Sequence, residues 1–185
     1  VVPPLTPALA GACERHLGHS AVIVDATSDL PIRLDVEEPL SVGPDRIANT
    51  LAAMRLYGRD TIAVDLGTAT TFDCITADAV FLGGIIAPGV LTGAETLTRR
   101  TAKLPRVDLE PPVAVIGRRT DTAMRSGIFW GAVDSIDGMV RRIKAEWTED
   151  ALVVATGGLA DLIAPHARTL RIGLFGEFLE REVRV

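Results

Sequence analysis

A chain of 185 residues has the size of one ordinary domain or of two small fused ones. Its 19 basic and 24 acidic residues leave a net charge of −5, and no basic stripe interleaved with aromatics occurs, which argues against nucleic acid as a partner. Apolar residues make up 48% but aromatics only 4%, so Ala, Val, Ile, Leu and Gly must build the core; the longest apolar runs break well short of a membrane span.

Val1-Val2-Pro3-Pro4 resembles neither a signal peptide nor a start site and reads as a strand and its exit, so the true N-terminus is expected upstream of Val1. Thr6 and Pro7 open a helix carrying Leu9, Ala12, Cys13 and Leu17 on one face. Ala21–Val24 reads as a short buried strand closed by Asp25, and an extended piece is expected at Ile32-Arg33-Leu34 within the irregular stretch 26–44. A helix follows from Asp45 to Tyr57, with Ile47, Leu51, Met54 and Leu56 apolar and Gly58 as its stop. Three strands come next, at 61–65, 69–75 and 80–86, then a helix at 90–101 and a passage through Pro105, Pro111 and Pro112. A long helix is expected from Thr120 to about Trp147, with Gly127, Gly131 and Gly138 permitting close helix packing. A buried strand at 152–155 leads through Thr156-Gly157-Gly158 into a helix at 159–165; Leu174–Leu179 is readable as helix or edge strand. The order β-β-β-α-α-β-α specifies a mixed sheet with helical cover, an α/β protein. Cys13 and Cys74 share no metal-like spacing with His16, His19 or His166, and read as reduced thiols of a cytoplasmic protein.

The chemistry concentrates in Asp65-Leu66-Gly67-Thr68-Ala69-Thr70-Thr71, between two strands. A strand that ends in an acid, turns on glycine and returns through small hydroxyl residues makes a hairpin whose tip can face phosphates. Gly67 allows close backbone approach, and Asp65 is a natural cation ligand or water-positioning group. Asp45, directly after a Gly-Pro bend, suits either a helix N-cap or a catalytic carboxylate. Arg46 is a solvated helix charge or a carboxylate grip, and Thr120 a helix cap or a ligand.

Gly43-Pro44-Asp45-Arg46 with Ile47-Ala48-Asn49, then Asp65 to Asp73, then Gly83-Gly84-Ile85-Ile86-Ala87-Pro88-Gly89 resemble type III pantothenate kinase, of the acetate and sugar kinase, Hsc70 and actin superfamily. Leu104-Pro105, Ile116-Gly117, Thr120 before Ala123-Met124-Arg125-Ser126-Gly127, and Thr156-Gly157-Gly158 continue the match in order, over roughly residues 1–165. The resemblance implies a ribonuclease H-like (actin-like ATPase) fold with helices on both faces of the sheet. Residues 1–58 would be the remainder of an N-terminal subdomain and 59–185 a C-terminal one. It implies ATP-dependent phosphorylation of pantothenate to 4′-phosphopantothenate, with Asp45 as base and Gly43, Pro44, Arg46 and Thr120 at the acceptor. Thr120 would come from the second subunit of a homodimer. Gly67, Thr68, Gly157 and Gly158 would meet ATP with its Mg2+, and Asp65 would seat potassium or ammonium, with Asp73 a weaker candidate for the cation or magnesium-water shell. Gly83-Gly84 and Pro88-Gly89 would shape a loop beside the acceptor. The family's opening Asp-x-Gly-Asn-Thr phosphate loop does not occur in these residues, and Val36 and Leu40 stand where an aromatic is common. A non-catalytic relative, or a superfamily kinase for another small hydroxy acid, therefore remain as alternatives.

Overall fold

The computed structural model describes residues 5–101 and 103–172. Among the described residues six strands form one mixed sheet. Its centre is an antiparallel meander of β2 (Thr61–Leu66), β3 (Ala69–Ile75) and β4 (Val80–Pro88). β1 (Arg33–Leu34) adds parallel to β4, β5 (Leu152–Thr156) parallel to β2, and β6 (Arg171–Ile172) parallel to β5. These strands follow the β-branched runs expected of them. Gly83-Gly84 to Pro88 belongs to β4 and is not a loop, and Gly84 lies so close to the Phe72 carbonyl that any Cβ would collide with it.

Alternation along the central strands sends two sets of side chains to opposite faces. On one face, α4 (Thr120–Glu146) lays Phe129, Val133, Ile136 and Val140 against Ile62, Val64, Leu66 and Phe72. His166 joins this side edge-on to Phe129, with ring centroids 5.0 Å apart. On the other face, α2 (Pro44–Tyr57) sets Ala52 and Ala53 on Ala63, Ile75, Phe81 and Val154. Its buried residues are Ile47, Asn49, Thr50, Ala52 and Ala53. Leu51 and Met54, expected on the apolar face, are only half-buried, since the buried stripe runs instead through Ile47, Thr50 and Ala53.

α3 (Val90–Arg100) follows β4, and α5 (Ala160–Ile163) with a 3-10 turn at Ala164–His166 follows β5. α1 (Thr6–Leu17) forms as expected, but none of its residues is buried and Leu9 is 62% exposed. Ala21–Val24 is not a strand: it has no strand partner among the described residues, and Val22 is fully in solvent. A strand exists only by pairing, and the edge beside β4 is taken by Arg33 and Leu34. Gly127 and Gly131 do not mediate close packing either. Nothing approaches the position of their missing side chains, and Gly131 borders an open cleft of about 230 Å³ between α3 and α4. Asp137, buried on α4, accepts hydrogen bonds from the Arg168 and Thr169 amides and from Thr169 Oγ1, at 3.1, 3.0 and 2.7 Å. Burial alone would raise its pKa, but these bonds outweigh it and hold the carboxyl below its usual range. Leu174–Leu179 and Val1–Pro4 lie outside the described residues.

Candidate active site

α2 begins at a Gly-Pro bend. Gly43 is the N-cap in extended backbone (φ −64°, ψ 147°), and Pro44 supplies the first helical residue, whose missing N–H is no loss there. Asp45 is therefore in the first turn and is not the cap. Its exposed carboxylate accepts the Arg46 amide at 2.9 Å, a contact that fixes its direction over the helix start.

Arg46 turns inward. Its Nε donates to Asp73 Oδ1 at 2.6 Å, and its guanidinium lies 4.8 Å from the centre of the Phe81 ring. Asn49, one turn further along α2, donates from Nδ2 to the other Asp73 oxygen at 3.0 Å. Asp73 is thus fully buried, and each of its oxygens accepts a hydrogen bond from α2. Arg46 Nη2 is buried without a hydrogen-bond partner and lies near Gly84. The open two-pronged grip expected of Arg46 is replaced by an arginine anchored at one edge.

Asp65, next to last in β2, lies on the same sheet face as Asp73, since Ala63 pairs with Asp73 and Asp65 with Thr71. Burial raises its pKa, the negative charges of Asp45 and Asp73 raise it further, and an Asn49 hydrogen bond opposes them. Burial likewise raises Asp73, against the hydrogen bond of Asn49 and the charge of Arg46. Among the described residues Asp65 has no basic ion-pair partner. Negative charge left half-buried in this way fits a monovalent cation. Among the same residues no group of three or more His, Cys, Asp or Glu could hold a metal ion, so carbonyl and water oxygens would complete such a shell. Gly157, at the end of β5, stands in left-handed backbone (φ 90°) directly against Asp65 Oδ1 and Leu66, where no side chain could fit. Gly67 and Thr68 are exposed at the tip of the β2–β3 hairpin, and the Thr68 carbonyl accepts from Thr92 Oγ1 of α3 at 2.8 Å. Gly158 faces open space.

Asp45, Asp65, Gly67 and Gly157 thus converge where β2 and β5 end beside the start of α2. Thr120 does not join them. It opens α4 and lines a cleft of about 760 Å³ with Leu97, Leu104, Arg119 and Met124. Nor does it cap the helix: Arg119 is the N-cap, and its amide donates to Thr122 Oγ1 at 3.1 Å. Asn49 and Phe81 escaped the sequence reading as site residues. Their signal was present in Asn49 itself, a polar residue four positions after Asp45 on the face of α2 that meets the sheet.

A mixed sheet with helices on both faces defines an α/β protein consistent with the actin-like, ribonuclease H-like kinase fold. A crystal structure described as a conserved putative Baf family transcriptional activator from Campylobacter jejuni shares that fold with a TM-score of 0.54. It covers 100% of this chain and 81% of its own, at 19% identity, a level that speaks for the fold alone. The family model of type III pantothenate kinase matches residues 1–142, and the chain belongs to that family. Type III pantothenate kinase of Desulfatibacillum aliphaticivorans is 45% identical over 92% of this chain and 66% of its own length. That of Koribacter versatilis is 41% identical over 92% and 62%, and type III pantothenate kinase 1 of Symbiobacterium thermophilum 44% identical over 93% and 67%. The chain spans about two thirds of the length of these curated relatives.

Proposed function

We propose that the protein phosphorylates pantothenate with ATP to give 4′-phosphopantothenate, the first step of coenzyme A biosynthesis. The observation that carries this reading is the approach of an exposed, directionally fixed Asp45 to the half-buried Asp65 in a chain of this family. Asp45 orients the primary hydroxyl of the acceptor and accepts its proton late in a loose transition state. Gly43 and Pro44 set that carboxylate's direction, and Arg46 faces the acceptor's own carboxylate. Thr120, which lines a separate cleft within the protomer, reaches the acceptor from the second subunit of a homodimer. Gly67, Thr68, Gly157 and Gly158 border ATP, which carries Mg2+, and Asp65 seats a potassium or ammonium ion whose positive charge helps hold the polyphosphate. Residues 1–58 belong to an N-terminal actin-like subdomain and 59–185 to a C-terminal one. A cytoplasmic location is in keeping with two free cysteines and with the absence, among the described residues, of a helix long and apolar enough to cross a membrane.

The test is phosphate transfer from ATP to pantothenate by the complete polypeptide in potassium, ammonium or sodium buffer. Turnover is expected with the first two and little with sodium. Equal rates in all three would remove the cation from Asp65. Pantothenate binding without turnover would instead favour a non-catalytic relative.

A further inference from the structure

The mechanism above uses Arg46 but leaves unexplained why a strand in the middle of the sheet carries a fully buried aspartate. Asp73 sits in β3, paired with Gly84 of β4, and is 0% exposed. Burying a carboxylate is costly unless it is paired and hydrogen-bonded, and here each oxygen accepts a bond, from two different residues of α2. Arg46 and Asn49 are three positions apart on one helix face, so a single carboxylate clamps one full turn of α2 to the sheet. The clamp acts on the arginine at Nε, and the Phe81 ring covers the guanidinium. A guanidinium held at one edge and roofed by an aromatic ring keeps few of its rotamers. Beyond it, Gly84 and Ile86 of β4 are exposed on the face that α2 leaves uncovered. Gly84 has no side chain to fill the space beside Nη2.

We propose that Asp73, locked by Asn49, is the positioning residue that presents Arg46 to the carboxylate of the acceptor. The inference rests on the pantothenate kinase reading. Asp73 touches neither substrate; it fixes where the Arg46 guanidinium stands, so that an acceptor carboxylate meets an arginine already in place. Asn49 engages the second Asp73 oxygen, so that the carboxylate meets Arg46 through the first alone.

The experiment compares Asp73→Asn and Asn49→Ala with wild type in the complete polypeptide. Two acceptors are used: pantothenate, and its neutral analogue in which CH2OH replaces the carboxylate, followed as substrate or as competitive inhibitor. Loss of a buried, charge-assisted contact should raise the pantothenate KM about tenfold or more in Asp73→Asn and somewhat less in Asn49→Ala. The value of kcat should stay within about threefold in Asp73→Asn, and the constant for the neutral analogue within about twofold in both variants. Asn49→Ala, which leaves the Arg46–Asp73 pair intact, carries the test if Asp73→Asn fails to fold. A rise that is equal for both acceptors, or a fall in kcat at unchanged KM, would overturn the positioning role while leaving the kinase reading standing. A wild-type protein that phosphorylates neither acceptor would overturn the kinase reading, and this role with it.

Discussion

At the scale of single residues, the site is a set of carboxylates given different tasks by their surroundings. Asp45 is exposed at a helix start, Asp65 is half-buried at a strand end, and Asp73 is sealed in with an arginine and an amide. Asp45→Asn should keep the fold, as judged by an unchanged melting temperature, and lower turnover on the order of a hundredfold or more, as measured by coupled assay. Asp65 leads to a stability prediction with a definite sign. A carboxylate whose pKa is raised by folding binds its proton more tightly in the folded state. It therefore favours folding below its ordinary value of 3.8, and that contribution is lost as pH rises through the raised value. Asp65→Asn should accordingly raise the melting temperature at pH 7 in cation-free buffer, with the gain shrinking as the pH is lowered toward 4. A gain that grew on acidification would contradict the burial and repulsion assigned to Asp65. Cys74, whose thiol burial pushes up to about 11, is no nucleophile at neutral pH.

At the scale of elements, the legible parts were those whose pattern is local. The β2–β3–β4 meander, α2, α3 and α4 appear within a residue or two of expectation, because hydrophobic period and turn glycines act within a few positions. The misread parts depended on distant partners. Ala21–Val24 has the composition of a strand and no neighbour to pair with; Gly127 and Gly131 look like a packing stripe and border a gap. In the site, Asp45, Asp65 and the glycines could be read from motif order. The inward turn of Arg46 could not, since it depends on Asp73 lying 27 positions away and on Phe81 beneath. Asp137 was silent in the sequence for the same reason, its partners being 31 and 32 positions on. Asp137→Ala should cost about 2–3 kcal/mol in urea unfolding, because it orphans two backbone amides and a hydroxyl that tie α4 to the approach to β6. A loss below about 0.5 kcal/mol would mean water replaces the carboxylate freely.

At the scale of the whole molecule, phosphoryl transfer needs amides and hydroxyls on both sides of the transferred group. On the function proposed above, the 185 residues carry one such side, around Gly67 and Gly157, and they contain no Asp-x-Gly-Asn-Thr loop. Expressed alone they are expected to show no pantothenate phosphorylation and to self-associate through the exposed Leu9, Leu17 and Val22, as read by sedimentation. Sustained turnover by a monodisperse 185-residue chain would show that the phosphates are held another way. The parallel pairing of β2 with β5 has a consequence for how the protein comes into being. β2 and β3 close across Gly67 and Thr68, whereas Thr61 and Leu152 meet only after the chain between them has looped out and back. Chain entropy makes the long closure the slower one. The meander should therefore assemble before β5 docks, so that a nascent chain has its hairpin before Gly157 reaches Asp65. Substitutions such as Val153→Ala should then speed unfolding and barely change the folding rate, whereas Val64→Ala should slow folding itself.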